Sequence, residues 1–306
     1  MGKIAYVFPG QGSQVVGMGR DLGAASPRWA DANTAVGFDL RHLCFEGPEA
    51  DLALTANTQP AILTASIVAL DALAAAGAAY DFVAGHSLGE YSALVAAGSV
   101  GFSDAVRIVR ARGQFMQEAV APGEGAMAAI LGLDRALVSQ ACQEAQGAGV
   151  VQVANLNAPG QTVIAGATAA VGRAVELAKA KGAKRVVPLP VSAPFHSALM
   201  APAANRLQVA LRTIRFRDLR VPLVTNVDAD LLTQGARVAD ALVRQVTAPV
   251  RWEEVVTRLV KEGAEIFVEV GPGKVLSGLI RRIASGVRVL HVEDQPSLDE
   301  TLKALS

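Results

Sequence analysis

The hexapeptide Gly85-His86-Ser87-Leu88-Gly89-Glu90 constrains this chain more than any other segment. It sets one serine between two glycines where Asp81-Phe82-Val83-Ala84 reads as the end of a buried strand and residues 90–97 as a helix closed by Gly98. A strand that turns directly into a helix through G-x-S-x-G is a nucleophile elbow. The glycines let the turn pack against its neighbours, and the serine is held strained with its hydroxyl above the sheet edge. The N-terminus of the following helix faces the same point, so free N–H groups and the positive end of its dipole await an oxyanion. The plainer reading is a Gly-Ser turn that merely starts a helix, and the partners of Ser87 separate the two.

The rest of the chain suits such an elbow. Its 306 residues can bury a large core, and 51% of them are apolar against 18% charged and 5% aromatic, the composition of a compact Ala/Val/Leu-rich α/β enzyme. Lys plus Arg balance Asp plus Glu at 28 each, so nothing global points to nucleic acid or an anionic membrane. The two cysteines, Cys44 and Cys142, have no metal-site spacing and suggest no disulfide framework, so no metal is expected and a cytoplasmic setting fits. The apolar run before Pro9-Gly10 is too short for a signal peptide and reads as a first strand. Residues 61–79 are interrupted by Thr64, Ser66, Asp71 and Gly77 and read as part of a core helix rather than a membrane span.

Strands and helices alternate as a parallel sheet with covering helices requires: a long helix over 58–76, the elbow, then a helix over 103–120 capped by Ser103-Asp104 and carrying Arg107, Arg110 and Arg112. From Gly125 the order becomes β-α-β-β-α-β, with strands at 126–131, 150–154, 161–165 and 184–189 and helices at 134–146 and 168–181. Alternation then resumes, with strands near 221–225, 266–270 and 287–291. The expected architecture is a discontinuous α/β-hydrolase-like domain (1–123 and 191–306) with a parallel sheet and an inserted small ferredoxin-like domain (124–190). A ligand cleft is expected between them.

Ser87 needs a base, and four histidines are available. His86 adjoins the serine and reads as support for the turn; His42 reads as a partly buried structural residue. His196, in the interdomain loop Ser192-Ala193-Pro194-Phe195-His196-Ser197, is the preferred base. His291 with Asp228 or Asp230 would satisfy the hydrolase order, but a Ser87–His196 dyad oriented by a backbone carbonyl serves equally well. The loop Gly10-Gln11-Gly12 follows the first strand, where a second oxyanion N–H would be supplied. It is not a dinucleotide fingerprint, since Val15 replaces the third glycine, and Gly271-Pro272-Gly273-Lys274-Val275 is not a P-loop.

Gly10-Gln11-Gly12-Ser13-Gln14, the Ser87 hexapeptide, Arg110-Ala111-Arg112-Gly113-Gln114-Phe115-Met116, Asn157-Ala158-Pro159-Gly160-Gln161, Pro194-Phe195-His196-Ser197 and Gly271-Pro272-Gly273-Lys274 follow one another as in malonyl-CoA:acyl carrier protein transacylases. The chain resembles a stand-alone member of that family over almost its whole length. The resemblance implies ping-pong transfer of malonyl from malonyl-CoA to the phosphopantetheine thiol of an acyl carrier protein, through a malonyl-Ser87 ester and without a bound cofactor. It further implies His196 as general base, the N–H groups of Gln11 and Leu88 as oxyanion hole, and the Gln245 carbonyl as the group orienting His196. Arg112 would pair with the malonyl carboxylate, a role its place among three arginines on one helix does not reveal. Phe195 and Leu88 fit malonyl rather than methylmalonyl selection, and Asn157 and Gln59 are pocket candidates. The acidic carrier would meet a basic patch, with Lys184-Arg185 and Lys274 plus Arg281-Arg282 as candidates. A monomer is expected. The rival readings are a trans-acting acyltransferase of a polyketide synthase, a serine thioesterase or esterase using His291, and an inactive carrier-docking subunit.

Overall fold

The computed structural model describes residues 2–191 and 193–305; Ser192 of the loop before His196 lies outside the described residues. The first strands are β1 (Lys3–Phe8), β2 (Phe82–Gly85), β3 (Gly125–Leu131), β4 (Val151–Ala158) and β5 (Gln161–Ala167). They are followed by β6 (Arg185–Pro188), β7 (Leu223–Val224), β8 (Leu231–Leu232), β9 (Ala264–Val270) and β10 (Arg288–Val292).

Six strands form the main sheet in the order β10-β9-β1-β2-β7-β8. β10, β9, β1, β2 and β7 pair in parallel, while β8 turns back antiparallel on β7, so the sheet is mixed at that edge and not wholly parallel as expected. The uninterrupted apolar run of β1 is explained by burial on both faces. Ile4, Tyr6 and Phe8 enter one core and Ala5 and Val7 a second.

The helix Thr55–Ala75 is apolar around nearly its whole circumference because it runs through the larger core; it is long and apolar enough to cross a membrane, yet most of it is buried in protein. It starts three residues earlier than expected. The helix Phe102–Gln117 packs on it, with Gly101 rather than Ser103-Asp104 at its N-cap position. Gly113 decides how closely: a Cβ there would lie 2.7 Å from the Thr55 carbonyl oxygen, so its absence lets the two helices touch and brings Arg112 beside Gln59.

The second sheet has the order β4-β5-β3-β6, antiparallel throughout, with helices Arg135–Ala145 and Thr168–Ala180 on one face. That is the ferredoxin-like arrangement. Asp134 caps the first of these helices by accepting from the Ala136 N–H at 2.8 Å. The sheet's other face supplies Met127, Ala154, Val163 and Ala165 to the core of the main unit, so the two sheets share buried apolar surface.

β1 and β2 are neighbours with Phe8 level with Gly85, so the loops leaving their C-terminal ends meet. This is where open α/β sheets bind ligands. A Cβ at Gly85 would overlap the Gly89 carbonyl, and one at Gly89 would overlap the Phe8 carbonyl oxygen. Both glycines of the elbow are therefore fixed by contact with backbone, which cannot yield as a side chain can. Gly85→Ala should lower stability by at least the roughly 1–3 kcal/mol typical of overpacking. Gly172→Ala, on an exposed helix position with nothing within 4 Å, should raise it by roughly 0.5–1 kcal/mol. Urea unfolding of both variants beside the parent protein checks the contrast.

Candidate active site

Ser87 is the second residue past β2 and has φ 52°, in the left-handed region that a non-glycine residue enters only when its surroundings impose it. Asn226, just beyond β7, imposes it from one side. Its Oδ1 accepts from the Ser87 N–H at 2.6 Å and its Nδ2 donates to the Gly85 carbonyl at 2.7 Å. His196 has φ 59° and is held likewise: Gln152 of β4 donates to its carbonyl at 3.3 Å and accepts from the Ala198 N–H at 3.0 Å.

These constraints bring the two side chains together. Ser87 Oγ and His196 Nε2 are 2.8 Å apart, and His196 Nδ1 is 2.9 Å from the Gln245 carbonyl oxygen. With Nδ1–H donating to that carbonyl, Nε2 is left free to accept the serine proton. No carboxylate is required, which resolves the open question of a third group. Asp228 is committed to a two-pronged pair with Arg244 and Asp230 is paired with Arg258. His291 lies on the far edge strand β10, 3.8 Å from Glu293, so the hydrolase-order triad does not assemble. His42 is exposed rather than partly buried, because its helix turns Leu43, Cys44 and Phe45 inward instead.

Arg112 is only 2% exposed. Its NH2 donates to Ser87 Oγ at 3.1 Å and to Gln245 Oε1 at 2.9 Å, and its NH1 donates to Gln59 Oε1 at 2.8 Å. The guanidinium also lies 5.5 Å from the centre of the Tyr91 ring. Among the described residues no carboxylate touches it, and its Nε has no partner. A buried cation bonded only to neutral acceptors is an available receptor for an anionic group. Burial and then the Arg112 charge push the His196 pKa down to about 3, so the ring is neutral and ready to accept a proton across the physiological range.

Gln11, Gln59, Leu88, Arg112, Phe195 and His196 all line one cleft with Ser87. Neither the Gln11 nor the Leu88 N–H has a protein acceptor among the described residues, which leaves both free to meet an oxyanion. Asn157 is placed differently. Its Oδ1 is 2.9 Å from His86 Nε2, fixing that ring under the turn, while Asn155 is the asparagine that lines the Ser87 cleft. The bulges in the β4–β5 pairing explain the exchange, because they shift which residues of β4 face inward. Of the candidate basic residues none lines this cleft: Lys274 lies 3.3 Å from Glu293, Arg281 donates to the Val289 carbonyl, and Arg282 bridges to Gln161 and Pro159. Lys184 and Arg185 are exposed on the small sheet.

Sequence reasoning gave no role to Glu90, Asn226 or Gln152. Asn226 had a readable signal, since it follows the strand of 221–225 at its C-terminal end, where sites of this architecture gather. Glu90 stood out only as the single charge in an apolar helix. Asn226→Ala should strip two buried backbone groups of their partners, destabilise the protein by roughly 1–3 kcal/mol for each, and lower the rate of serine acylation. Urea unfolding and reaction with an active-site serine reagent would show it. Arg112→Gln should raise the His196 pKa by removing a neighbouring cation. The fall of kcat/KM on acidification, measured with an uncharged acyl thioester, should then begin at higher pH than in the parent protein.

Residues 5–295 match the family described as acyl transferase domain. The malonyl CoA-acyl carrier protein transacylase of Escherichia coli (strain K12) is 52% identical, over 99% of this chain and 100% of its own. That of Bacillus subtilis (strain 168) is 48% identical, over 100% and 98%. A solved malonyl-transacylase in complex with its type II PKS acyl-carrier protein superposes with a TM-score of 0.96 at 46% identity, covering 99% of both chains. The elbow, the neutral histidine and the buried arginine thus sit in a framework shared from end to end with these proteins, and the chain belongs to the malonyl CoA-acyl carrier protein transacylase family of acyl transferases.

Proposed function

We propose that the protein transfers malonyl from malonyl-CoA to the phosphopantetheine thiol of an acyl carrier protein, supplying malonyl carrier for fatty acid synthesis. The observation that carries this reading is the buried Arg112 guanidinium, 3.1 Å from the nucleophile and free of any carboxylate among the described residues. An esterase or thioesterase acting on neutral acyl groups has no use for a desolvated cation at that point.

In the first half-reaction Ser87 Oγ attacks the thioester carbonyl carbon while His196 Nε2 takes its proton. The oxyanion is received by the Gln11 and Leu88 N–H groups, each such donor contributing about 2.7–4 kcal/mol of transition-state stabilisation. Collapse breaks the C–S bond, His196 returns the proton to the CoA sulfur, and malonyl remains as an ester of Ser87. The second half runs the same steps in reverse, with the carrier thiol as nucleophile and Ser87 as leaving group. Arg112 holds the distal carboxylate through both halves, and Phe195 restricts the space beside the acyl chain in favour of unbranched malonyl. Nucleophile, base, oxyanion donors and carboxylate receptor are all protein groups of one chain, so the scheme calls for no bound cofactor or metal and is complete in a monomer. We place the catalytic machinery in residues 1–123 and 191–306, with 124–190 as the inserted small domain. The two buried free thiols, Cys44 and Cys142, suit a cytoplasmic setting.

A related structure that carries a type II PKS acyl-carrier protein favours a second acceptor, a polyketide carrier, with unchanged chemistry. Intact-mass measurement after brief exposure to malonyl-CoA tests the main reading. One malonyl adduct, absent in Ser87→Ala and lost on addition of carrier, is the expected result; free malonate without carrier loading would identify a thioesterase. Loading rates on fatty-acid and polyketide carriers would then separate the two acceptors. His196→Ala should slow acylation by about 10²–10⁴-fold. Arg112→Ala should shift selectivity from malonyl-CoA toward acetyl-CoA by about 10–100-fold, the worth of a charge-assisted hydrogen bond. Equal losses on both substrates would remove the role given to Arg112.

A further inference from the structure

Arg112 raises a question that the transfer chemistry leaves open: how a guanidinium stays buried with no anion in contact among the described residues. Its acceptors are the Gln59 and Gln245 carboxamides and the Ser87 hydroxyl. The nearest anion in the network is one step further away. Gln245, fully buried, accepts from Arg112 through Oε1 and donates through Nε2 to Glu90 Oε2 at 2.9 Å. The same Glu90 oxygen accepts from the Asn226 N–H at 3.1 Å, and Glu90 is 1% exposed. Gln245 Nε2 also donates to the Ser87 carbonyl at 3.0 Å, so one carboxamide joins the cation, the carboxylate and the nucleophile's backbone.

Resting on the transferase reading above, we propose that Glu90 is the counter-charge of Arg112, set one amide away by Gln245, and that it takes up a proton when the acyl carboxylate pairs with Arg112. A carboxylate in direct contact with the guanidinium would occupy the donors that the substrate needs. One placed behind an amide steadies the empty site electrostatically and leaves those donors available. Once a second carboxylate arrives, one cation faces two anions in a buried volume, and protonating Glu90 relieves the repulsion.

The surroundings support this. Burial raises the Glu90 pKa to about 7, and the Gln245 and Asn226 hydrogen bonds and Arg112 only partly offset it, so the group stands at the edge of protonation at neutral pH. The groups with displaced pKa values on its own helix, on β1 and around Ser87 keep a fixed state there. Tyr91 beside it on its helix and Tyr6 on β1 are held protonated by burial. His86 and His196 have lowered pKa values and are neutral. Asp228 is held ionised by Arg244, which also pairs with Asp240 on its own helix. On the two helices that pack against the Glu90 helix, Asp71 is paired with Arg28, Asp104 is paired with Arg107, and Arg110 donates to Asn57, while Lys3 lies at the outer end of β1, bonded to the Glu262 carbonyl.

Glu90→Gln separates charge from hydrogen bonding, because a carboxamide oxygen can still accept from Gln245 and Asn226. In the parent protein the ratio of kcat/KM for malonyl-CoA to that for acetyl-CoA should fall about tenfold between pH 6 and 8.5, the factor that a one-unit shift in a linked proton produces. In Glu90→Gln the ratio should be flat and should exceed the parent's at pH 8.5. Acetyl-CoA carries the same titrating phosphates, so it cancels their contribution. Calorimetric titration of Ser87→Ala protein with each thioester, in two buffers of different ionisation enthalpy at pH 7, reads the proton directly and needs no change at Glu90. Uptake with malonyl-CoA and none with acetyl-CoA is expected. Equal uptake with both, or a pH-dependent ratio that survives in Glu90→Gln, would overturn the proposal while leaving the transferase reading intact. Failure of malonyl-CoA to load Ser87 in the parent protein would instead remove that reading and this one with it.

Discussion

Ser87 has to sit in a left-handed backbone conformation at the end of β2, and the site is arranged around keeping it there. A non-glycine residue so placed costs about 1–3 kcal/mol, and His196 carries the same burden. The restraint comes from backbone contact and from carboxamides. The Gly85 and Gly89 positions are closed to any side chain by neighbouring carbonyls, and Asn226 grips the turn through both ends of its amide. With the turn fixed, Ser87 Oγ lies in the cleft 2.8 Å from His196 Nε2, on two loops that are each held by hydrogen bonds of their own.

Carboxamides recur throughout this network: Gln59, Gln152, Asn157, Asn226 and Gln245 each bridge two otherwise unrelated groups or pin one catalytic neighbour. The physical reason is that an amide offers a donor and an acceptor without a charge. A carboxylate in place of Gln59 or Gln245 would pair with Arg112 and neutralise it, and a negative charge added to this network would raise the His196 pKa. A buried site that must keep a cation unpaired and a histidine neutral therefore relies on Asn and Gln for its internal scaffolding.

The small sheet contributes to the site as well as flanking it. Gln152 of β4 braces the His196 turn, Asn155 lines the cleft, and the backbone of Ala154 and Leu156 bonds to Val250 just beyond the Gln245 helix. Because this sheet shares a core with the main unit, its apolar packing helps to set the distance between Ser87 and His196.

The sequence by itself determined the elements and the family. Alternating strands and helices, the β-α-β-β-α-β order and the elbow glycines are written in local periodicity and in residues whose backbone demands are distinctive. The ordered motifs contain Ser87, His196 and Arg112, and the family resemblance that they carry implied Gln245. Tertiary structure decided what those residues experience. That Arg112 is buried beside Gln59 depends on Gly113 letting two helices touch; that Asn155 rather than Asn157 faces the cleft depends on strand bulges; that the sheet ends in an antiparallel β8 depends on a two-residue strand too short to show a period. The part played by Glu90 was the least legible of all. Its partners lie 136 and 155 residues further along the chain, and its effect on Arg112 passes through an amide, so neither spacing nor local pattern carries it. Local physics reads from neighbours in sequence, whereas burial, desolvation and charge coupling are properties of neighbours in space.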